Sequence, residues 1–396
     1  MALDKAPGPD GFTVDFFKTH WDIIKKDYIR VARNFFTKCK MGSGMKSSHL
    51  ALIPKDPNPQ SFDRFRPISL CNVSYKIITK ILANRLKNLL PSLISENQGG
   101  FVPKRQIMDN VILIQEAIQS SISRKERGMI IKLDMANAFD RVNHSFLKAV
   151  LKKFGFSELF ISRVMECISD NWTAPLINGR PSKAFKSSRG LRQGCPLSPF
   201  LYILMAETLS LQLEKMRKSK EIIGVEIVRG TKGINHSLFA DDTLLIGGTS
   251  SLMARRFKKV LDLFLQASGG KLNNNKCMIY TWNVPRHIIQ RISLIMEIPA
   301  QRNWTHFMYL GLPLAKDSIK SEIWVKLIEK LRGKLQSWGV YLLNLVGRTI
   351  LIKAILAALP IYQFAITLAP TSIHKHMELI IRSFLWQGGK QNTKKN

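Results

Sequence analysis

Two segments of this 396-residue chain end strand-like apolar runs in acid, and they are where chemistry is to be sought first. One is Met129-Ile130-Ile131-Lys132-Leu133-Asp134, with Asp140 six positions further on. The other is Ser237-Leu238-Phe239-Ala240-Asp241-Asp242-Thr243-Leu244-Leu245-Ile246, an adjacent acid pair between apolar flanks, as in a β-hairpin turn. Neighbouring carboxylates repel, a standing cost unless a cation neutralises them. Hard divalent cations such as Mg²⁺ take carboxylate oxygens and leave positions open for substrate phosphates. With a third carboxylate from another strand end, the pattern becomes a two-metal arrangement, its ions about 3.5–4 Å apart as is usual in polymerases and nucleases. An Asp-Asp pair alone suits a solvated turn just as well.

The elements that must position these acids are read from periodicity and turn residues. The opening Lys5-Ala6-Pro7-Gly8-Pro9-Asp10-Gly11 is turn chemistry, followed by a predicted helix over 12–36. A short strand at 50–53 is stopped by Pro54, Pro57 and Pro59, and helices are predicted over 69–90 and 110–124. After the strand at 129–134 come helices at 145–154 and 158–171, a Gly/Pro/Ser-rich loop region, and an apolar helix from Pro196 to about residue 216. Strand-like pieces follow at 224–229, 235–240 and 243–246, then a helix at 251–267 and strands near 277–281 and 307–312. Beyond Ser318 the pattern is helical and rich in Lys and Arg. The fold class is therefore α+β, with helical regions before and after a mixed middle.

Composition sets the class of partner. Sixty Lys and Arg against 28 Asp and Glu give a net charge of +32, a field that draws polyanions and suits nucleic acid. Hydrophobic residues make up 45%, enough for a sizeable core, so wholesale disorder is excluded. At roughly 100–200 residues per domain the length predicts two or three domains. The five cysteines form no C-x-x-C pair, which argues against a zinc finger or a disulfide framework and for a reducing compartment. No apolar signal segment follows Met1, and the most apolar stretch, 349–368, is broken by Lys353 and Pro360, as in a buried helix pair. An intracellular, non-membrane protein is expected.

Taken in order, the motifs resemble the reverse transcriptase domain of plant LINE-type (non-LTR) retrotransposons. They are Lys5-Ala6-Pro7-Gly8-Pro9-Asp10-Gly11-Phe12, Leu52-Ile53-Pro54-Lys55 and Phe65-Arg66-Pro67-Ile68-Ser69-Leu70. Asn97-Gln98-Gly99-Gly100-Phe101-Val102 follows, then the two acidic segments with Arg189-Gly190-Leu191-Arg192-Gln193-Gly194-Cys195-Pro196-Leu197-Ser198-Pro199 between them. Tyr309-Leu310-Gly311-Leu312-Pro313 and Phe384-Leu385-Trp386 close the series, which spans nearly the whole chain.

The resemblance implies a right-hand polymerase with fingers, a ferredoxin-like palm and a helical thumb. Fingers are expected over 1–128, the palm strand with the first catalytic Asp over 129–144, and insert helices over 145–190. The palm resumes over 191–312, and 313–396 forms a basic thumb with a truncated C-terminal extension. The implied reaction is RNA-directed DNA synthesis, adding dNMP to a primer 3′-hydroxyl by two-metal catalysis with Mg²⁺, or Mn²⁺ in its place. Asp134, Asp241 and Asp242 match the metal-binding triad. Asp140 reads as structural, paired with Arg141. Phe139 matches the bulky residue under the incoming sugar, where it excludes a ribose 2′-hydroxyl. Gln193 and Gly194 are expected near the nucleotide and template, and Cys195 as a packing residue.

Lys55 and Arg66 match fingers residues that embrace the triphosphate, and Lys276 the lysine that protonates departing pyrophosphate. Arg105 is assigned to nucleic acid, with folding onto the palm as the open alternative. Lys326, Lys330 and Lys334 lie near Leu327 and Leu331 at spacings that put cations on one helix face, fit for duplex phosphates. Partners are then an RNA template, a DNA primer and dNTPs, in the nucleus or a cytoplasmic ribonucleoprotein. Two departures stand out. The expected endonuclease domain is missing ahead of the opening motif, as in a truncated copy, and Asn137 stands where the family commonly has Lys. A non-catalytic, RNA-binding remnant is the alternative function. An RNA-dependent RNA polymerase is disfavoured by Phe139, and a group II intron maturase by the opening motif and the Gln193-Gly194-Cys195 segment.

Overall fold

A central strand that must hold an acid at its end needs neighbours on both sides, and Gly128–Leu133 has them. The computed structural model describes residues 3, 5–316, 322–337, 343–359, 361–364 and 369–387. Its strands are β1 (Ser48–Pro54), β2 (Phe65–Cys71), β3 (Gly128–Leu133), β4 (Asn171–Ile177), β5 (Arg180–Pro181) and β6 (Phe185–Ser187). There follow β7 (His236–Phe239), β8 (Asp242–Gly248), β9 (Met278–Trp282), β10 (Ala300–Gln301), β11 (His306–Tyr309) and β12 (Leu312–Ala315). The chain divides into two compact units, residues 1–106, 127–226 and 230–302 in the first, and 107–126, 227–229 and 303–396 in the second.

The first unit carries two sheets. One runs β10-β9-β3-β8-β7, with β3 antiparallel to both β8 and β9. Taken in chain order, β3, β7, β8 and β9 alternate with helices Ser198–Lys218 and Ser251–Ser268, and lie side by side as fourth, first, third, second. That is the βαββαβ ferredoxin-like arrangement. Ile130, Ile131, Leu133, Leu244, Leu245 and Ile246 are buried, which explains why β3 and β8 read as near-continuous apolar runs. Ser250 caps the second helix at Met253 N–H, and Gly269 ends it in the left-handed region. The other sheet runs β2-β1-β4-β5 with β6 on β4. Pro67 is tolerated because β2 lies at the edge, where a missing N–H is no loss.

In the second unit, helix Ile107–Ser123 meets the β11–β12 hairpin: the Gln115 amide donates to Ala315 O and accepts from Ala315 N–H, both at 2.9 Å. Helices Glu322–Ser337 and Thr371–Gln387 bury Trp324, Leu327, Ile328, Leu331, Met377 and Phe384 with Leu356. Helix Ile107–Ser123, which the sequence reading grouped with the first 128 residues, thus belongs to the second unit. Among the described residues no helix is long and apolar enough to cross a membrane.

Several elements differ from expectation. The helix over 12–36 is two, Val14–Thr19 and Trp21–Lys38, parted at His20. Residues 224–229 form no strand: Val225 bridges only Ile234, and the Glu226 carboxylate takes the Gly230 N–H at 3.0 Å, closing a turn. Residues 307–312 are a hairpin, its turn at Leu310 and Gly311 with φ of 51° and 80°. The strands β2 and β4 and helix Arg286–Met296 stand where no such element was predicted. The tail at 388–396, and residues 360 and 365–368 of the apolar stretch, lie outside the described residues.

Candidate active site

Asp134 is the first residue past β3, and its neighbours come from the chain approaching β9. Asn273 N–H donates to Asp134 O and Ala136 N–H to Lys271 O, both at 2.8 Å, so residues 271–273 run alongside 134–136. The turn that follows brings Lys276 Nζ to 4.0 Å from Asp134 Oδ2, the lysine 60% and the aspartate 29% exposed. Cys277 packs beneath, its sulfur accepting from Asp134 N–H at 3.3 Å.

Asp241 and Asp242 sit at the tip of the β7–β8 hairpin, where Phe239 pairs with Asp242 and leaves Ala240 and Asp241 as the turn. Ala240 has φ of 55°, a left-handed conformation that a non-glycine residue holds only under constraint. Burial pushes the Asp241 carboxyl above the usual range, with Asp134 adding to the rise while its own backbone N–H and Arg66 pull down. Asp242 is likewise raised by burial, then by Asp241 and Asp134, against Lys132 and Lys276. The three acids therefore repel one another in a half-buried setting, which is the situation a cation relieves.

Phe139 lines the cleft that holds these acids. Its ring stacks on buried Tyr202, centroids 4.8 Å apart, and burial with the charges of Asp241 and Asp242 raises the Tyr202 phenol. Phe139 O accepts from Leu191 N–H at 2.7 Å, so the loop 189–194 crosses this segment. Gln193 is held there twice: its carbonyl accepts from Ser69 N–H at 2.7 Å, and its amide donates to the Asp140 carboxylate at 3.2 Å and 3.3 Å. Asp140 is thus structural as expected, but through Gln193; no ion pair joins it to Arg141. Gly194 has φ of 107°, and a Cβ there would lie 2.9 Å from Ser69 O, so no larger residue fits. Asn137 also has positive φ, 48°, a conformation Asn tolerates better than most residues. Cys195 is buried against the Tyr75 hydroxyl at 3.5 Å, a packing position.

The remaining predicted residues divide. Lys55 and Arg66 lie on the exposed β1–β2 hairpin, Lys55 donating to Asp63 O at 2.8 Å, and both line the same cleft as the acids. Arg105 does not: its guanidinium donates to Ile94 O at 2.8 Å, to Gln98 O at 2.6 Å and to Ser95 O. It folds inward and braces a loop. Lys326, Lys330 and Lys334 are exposed on helix Glu322–Ser337, which buries Leu327, Ile328 and Leu331, in the second unit. Residues that carried no predicted role but shape the cleft are Tyr202 under Phe139, and Gln98, whose side chain grips the Ala240 N–H.

The cleft measures about 1080 Å³ and is lined by Lys55, Arg66, Asp134, Phe139, Gln193, Asp241, Asp242 and Lys276. Among the described residues no group of three His, Cys, Asp or Glu side chains is drawn together closely enough to hold a metal ion by itself. An octahedral ion that keeps waters and substrate phosphates needs only one or two carboxylates, so this oxygen-only set fits such an ion. What the arrangement offers is an anionic floor for cations, cationic walls for phosphates and a ring at one side.

Residues 53–314 match the family described as reverse transcriptase (RNA-dependent DNA polymerase). The chain belongs to that family. Over 98% of its length this reverse transcriptase domain is 30% identical to the uncharacterized 149 kDa protein of transposon TX1 from Xenopus laevis. It is 27% identical, over 79% of its length, to the retrovirus-related Pol polyprotein of the type-2 retrotransposable element R2DM from Drosophila melanogaster. The chain spans 29% of the length of each. Both relatives are proteins of transposable elements. The solved apo telomerase of Candida tropicalis shares its fold, with a TM-score of 0.51 at 14% identity, covering 93% of this chain and 65% of that one. The α+β fold of the reverse transcriptase domain is that of the right-hand polymerases.

Proposed function

We propose that the domain copies RNA into DNA, adding dNMP to a primer 3′-hydroxyl. The observation that carries this is the meeting of Asp134, Asp241 and Asp242 from two adjacent strands in one cleft with Lys55, Arg66 and Phe139. Asp134, Asp241 and Asp242 would hold divalent cations, Mg²⁺ or Mn²⁺, which when bound lower the pKa of the primer hydroxyl and offset the triphosphate charge. Arg66 receives phosphate oxygens on its planar fork, and Lys55 adds a point charge beside it. Phe139, backed by Tyr202, fills the space a ribose 2′-hydroxyl needs and so selects deoxyribose. Gln193, fixed by Asp140, lies where it reaches the nucleotide or template. As the bond from the α-phosphate to the bridging oxygen breaks, Lys276 Nζ hands a proton to pyrophosphate.

Lys326, Lys330 and Lys334 hold duplex phosphates without reading sequence. We read residues 1–106 as fingers, the β3 strand with 191–302 as palm, and 313–396 as thumb. The ordered motifs support an origin in a plant LINE-type element, working in the nucleus or a cytoplasmic ribonucleoprotein on a primer made by a nick in DNA. Primer extension on an RNA template with dNTPs and Mg²⁺ or Mn²⁺, beside Asp241→Ala, tests the reading. Metal-dependent extension that the variant lacks is expected. Salt-sensitive RNA binding without extension would overturn it and leave a nucleic-acid-binding remnant.

A further inference from the structure

The loop 94–106 belongs to none of the sheets, yet it is bound on two sides. From below, Arg105 holds three of its carbonyls, and Ser95 N–H donates at 3.0 Å to Oε1 of Glu207, a buried acid of helix Ser198–Lys218. From the side, Leu238 N–H donates to Asn97 O and Gly99 N–H to Leu238 O, both at 2.8 Å. The loop thereby adds a parallel bridge to β7, the edge of the five-stranded sheet.

At the end of that bridge Gln98 turns its side chain to the hairpin tip. Its Oε1 accepts from Gly100 N–H and from Ala240 N–H, each at 2.9 Å. Ala240 is the strained residue immediately before Asp241. The approach is close enough that a Cβ on Gly100 would lie 2.6 Å from Ala240 N. Gln98 is fully buried, and its Nε2 has no hydrogen-bond partner among the described residues. A buried orphan donor is costly, and a leucine of similar size would avoid it. The amide is an expensive way to fill space but the direct way to hold two N–H groups in one geometry.

We propose that Gln98 is a positioning residue for nucleotide addition: its amide oxygen fixes the Ala240-Asp241 turn, and so the Asp241 carboxylate relative to Asp134. Gly100 is the clearance this grip requires, and Arg105 with Glu207 anchors the loop that delivers it. The inference rests on the polymerase reading, and the experiment separates the two.

Wild type, Gln98→Leu, Gln98→Glu and Gly100→Ala are compared by primer extension, Mg²⁺ titration, primer–template binding and amide hydrogen exchange. In Gln98→Leu, kcat should fall about 10- to 100-fold, as displacement of a reacting group by about 1 Å does. The dNTP KM and primer–template affinity should hold, half-maximal Mg²⁺ should rise, and the Ala240 amide should lose exchange protection. Gln98→Glu keeps an acceptor at the same reach and should restore most of kcat and the protection. Wild-type kcat and Ala240 protection in Gln98→Leu would overturn the proposal, as would Gln98→Glu behaving no better than Gln98→Leu. If Gln98→Leu does not fold, Gly100→Ala should show the same kcat loss at unchanged KM, and wild-type kcat there overturns it. If wild type extends no primer, the polymerase reading falls, and Ala240 protection alone decides the brace.

Discussion

The cleft has two sides built on opposite plans. Its acids stand at strand ends of the five-stranded sheet, half-buried, with hydrogen bonds from distant segments fixing the backbone at Asp134 and immediately before Asp241. Its cations, Lys55 and Arg66, stand on the exposed β1–β2 hairpin, and among the described residues a bond to Asp63 O is what holds the Lys55 side chain. The difference follows from what each side must do. Carboxylates that share cations must be held at fixed separation against their own repulsion, and burial raises the energy of doing so. A phosphate can be met by a long, solvated side chain that gives up little on leaving water. Rigidity is concentrated where like charges meet.

That contrast can be broken at either side. Asp241→Asn should cut extension by about 10³-fold, near 4 kcal/mol of transition-state stabilisation, yet raise the melting temperature by removing a repelling charge. A fall in both would show that the acids are not under strain. Glu207, under the loop that braces the turn, is pushed up to about 7 by burial, with the Ser95 bonds and Arg105 pulling down. The fold prefers its neutral form, so nothing is lost below the ordinary value of 4.5, and stability drains away as pH rises through 7. Glu207→Gln should flatten that loss by up to about 3 kcal/mol at pH 8, read from urea titrations at pH 5 and pH 8.

Effects away from the acids, at Lys55 and Arg66, at Phe139 and in the second unit, should be smaller and of another kind. Arg66→Ala should raise the dNTP KM about tenfold with little change in kcat, one charged hydrogen bond's worth. Phe139→Ala should improve use of rNTP relative to dNTP by about tenfold at least, measured as a ratio of kcat/KM values. Lys330→Ala should leave extension at low salt intact and reduce the slope of log affinity against log salt by about 0.7–0.9. A kcat collapse in Arg66→Ala would erase the distinction between the two sides.

What the sequence disclosed was local. The run that became β3 is apolar and leads into Asp134, the run that became β8 is apolar and opens on Asp242, and each pattern survives in a single window of residues. β2 was hidden by Pro67, allowed only because the strand lies at an edge, and β4 by Pro175 and by pairing with β1 more than a hundred residues away. Asp140 was read with its neighbour Arg141, whereas its partner Gln193 is 53 positions distant. For Arg105 the sequence left contact with nucleic acid and folding onto the palm both open, and only the folded chain shows carbonyls of its own loop around it. Gln98 stood in a motif with no visible task because its task is performed on Ala240.

The bond from Gln98 to Ala240 spans 142 positions of the chain. Loops of that length close late, since their entropy must be met before the contact returns anything, and folding slows as such contacts accumulate. The turn that carries Asp241 therefore cannot acquire its final shape from its own hairpin during synthesis; it waits for the N-terminal loop and β7 to meet. Attraction to RNA has no such requirement, because a charge of +32 acts through space on any compact state. A nascent or partly folded chain should thus bind its template before it is able to copy it.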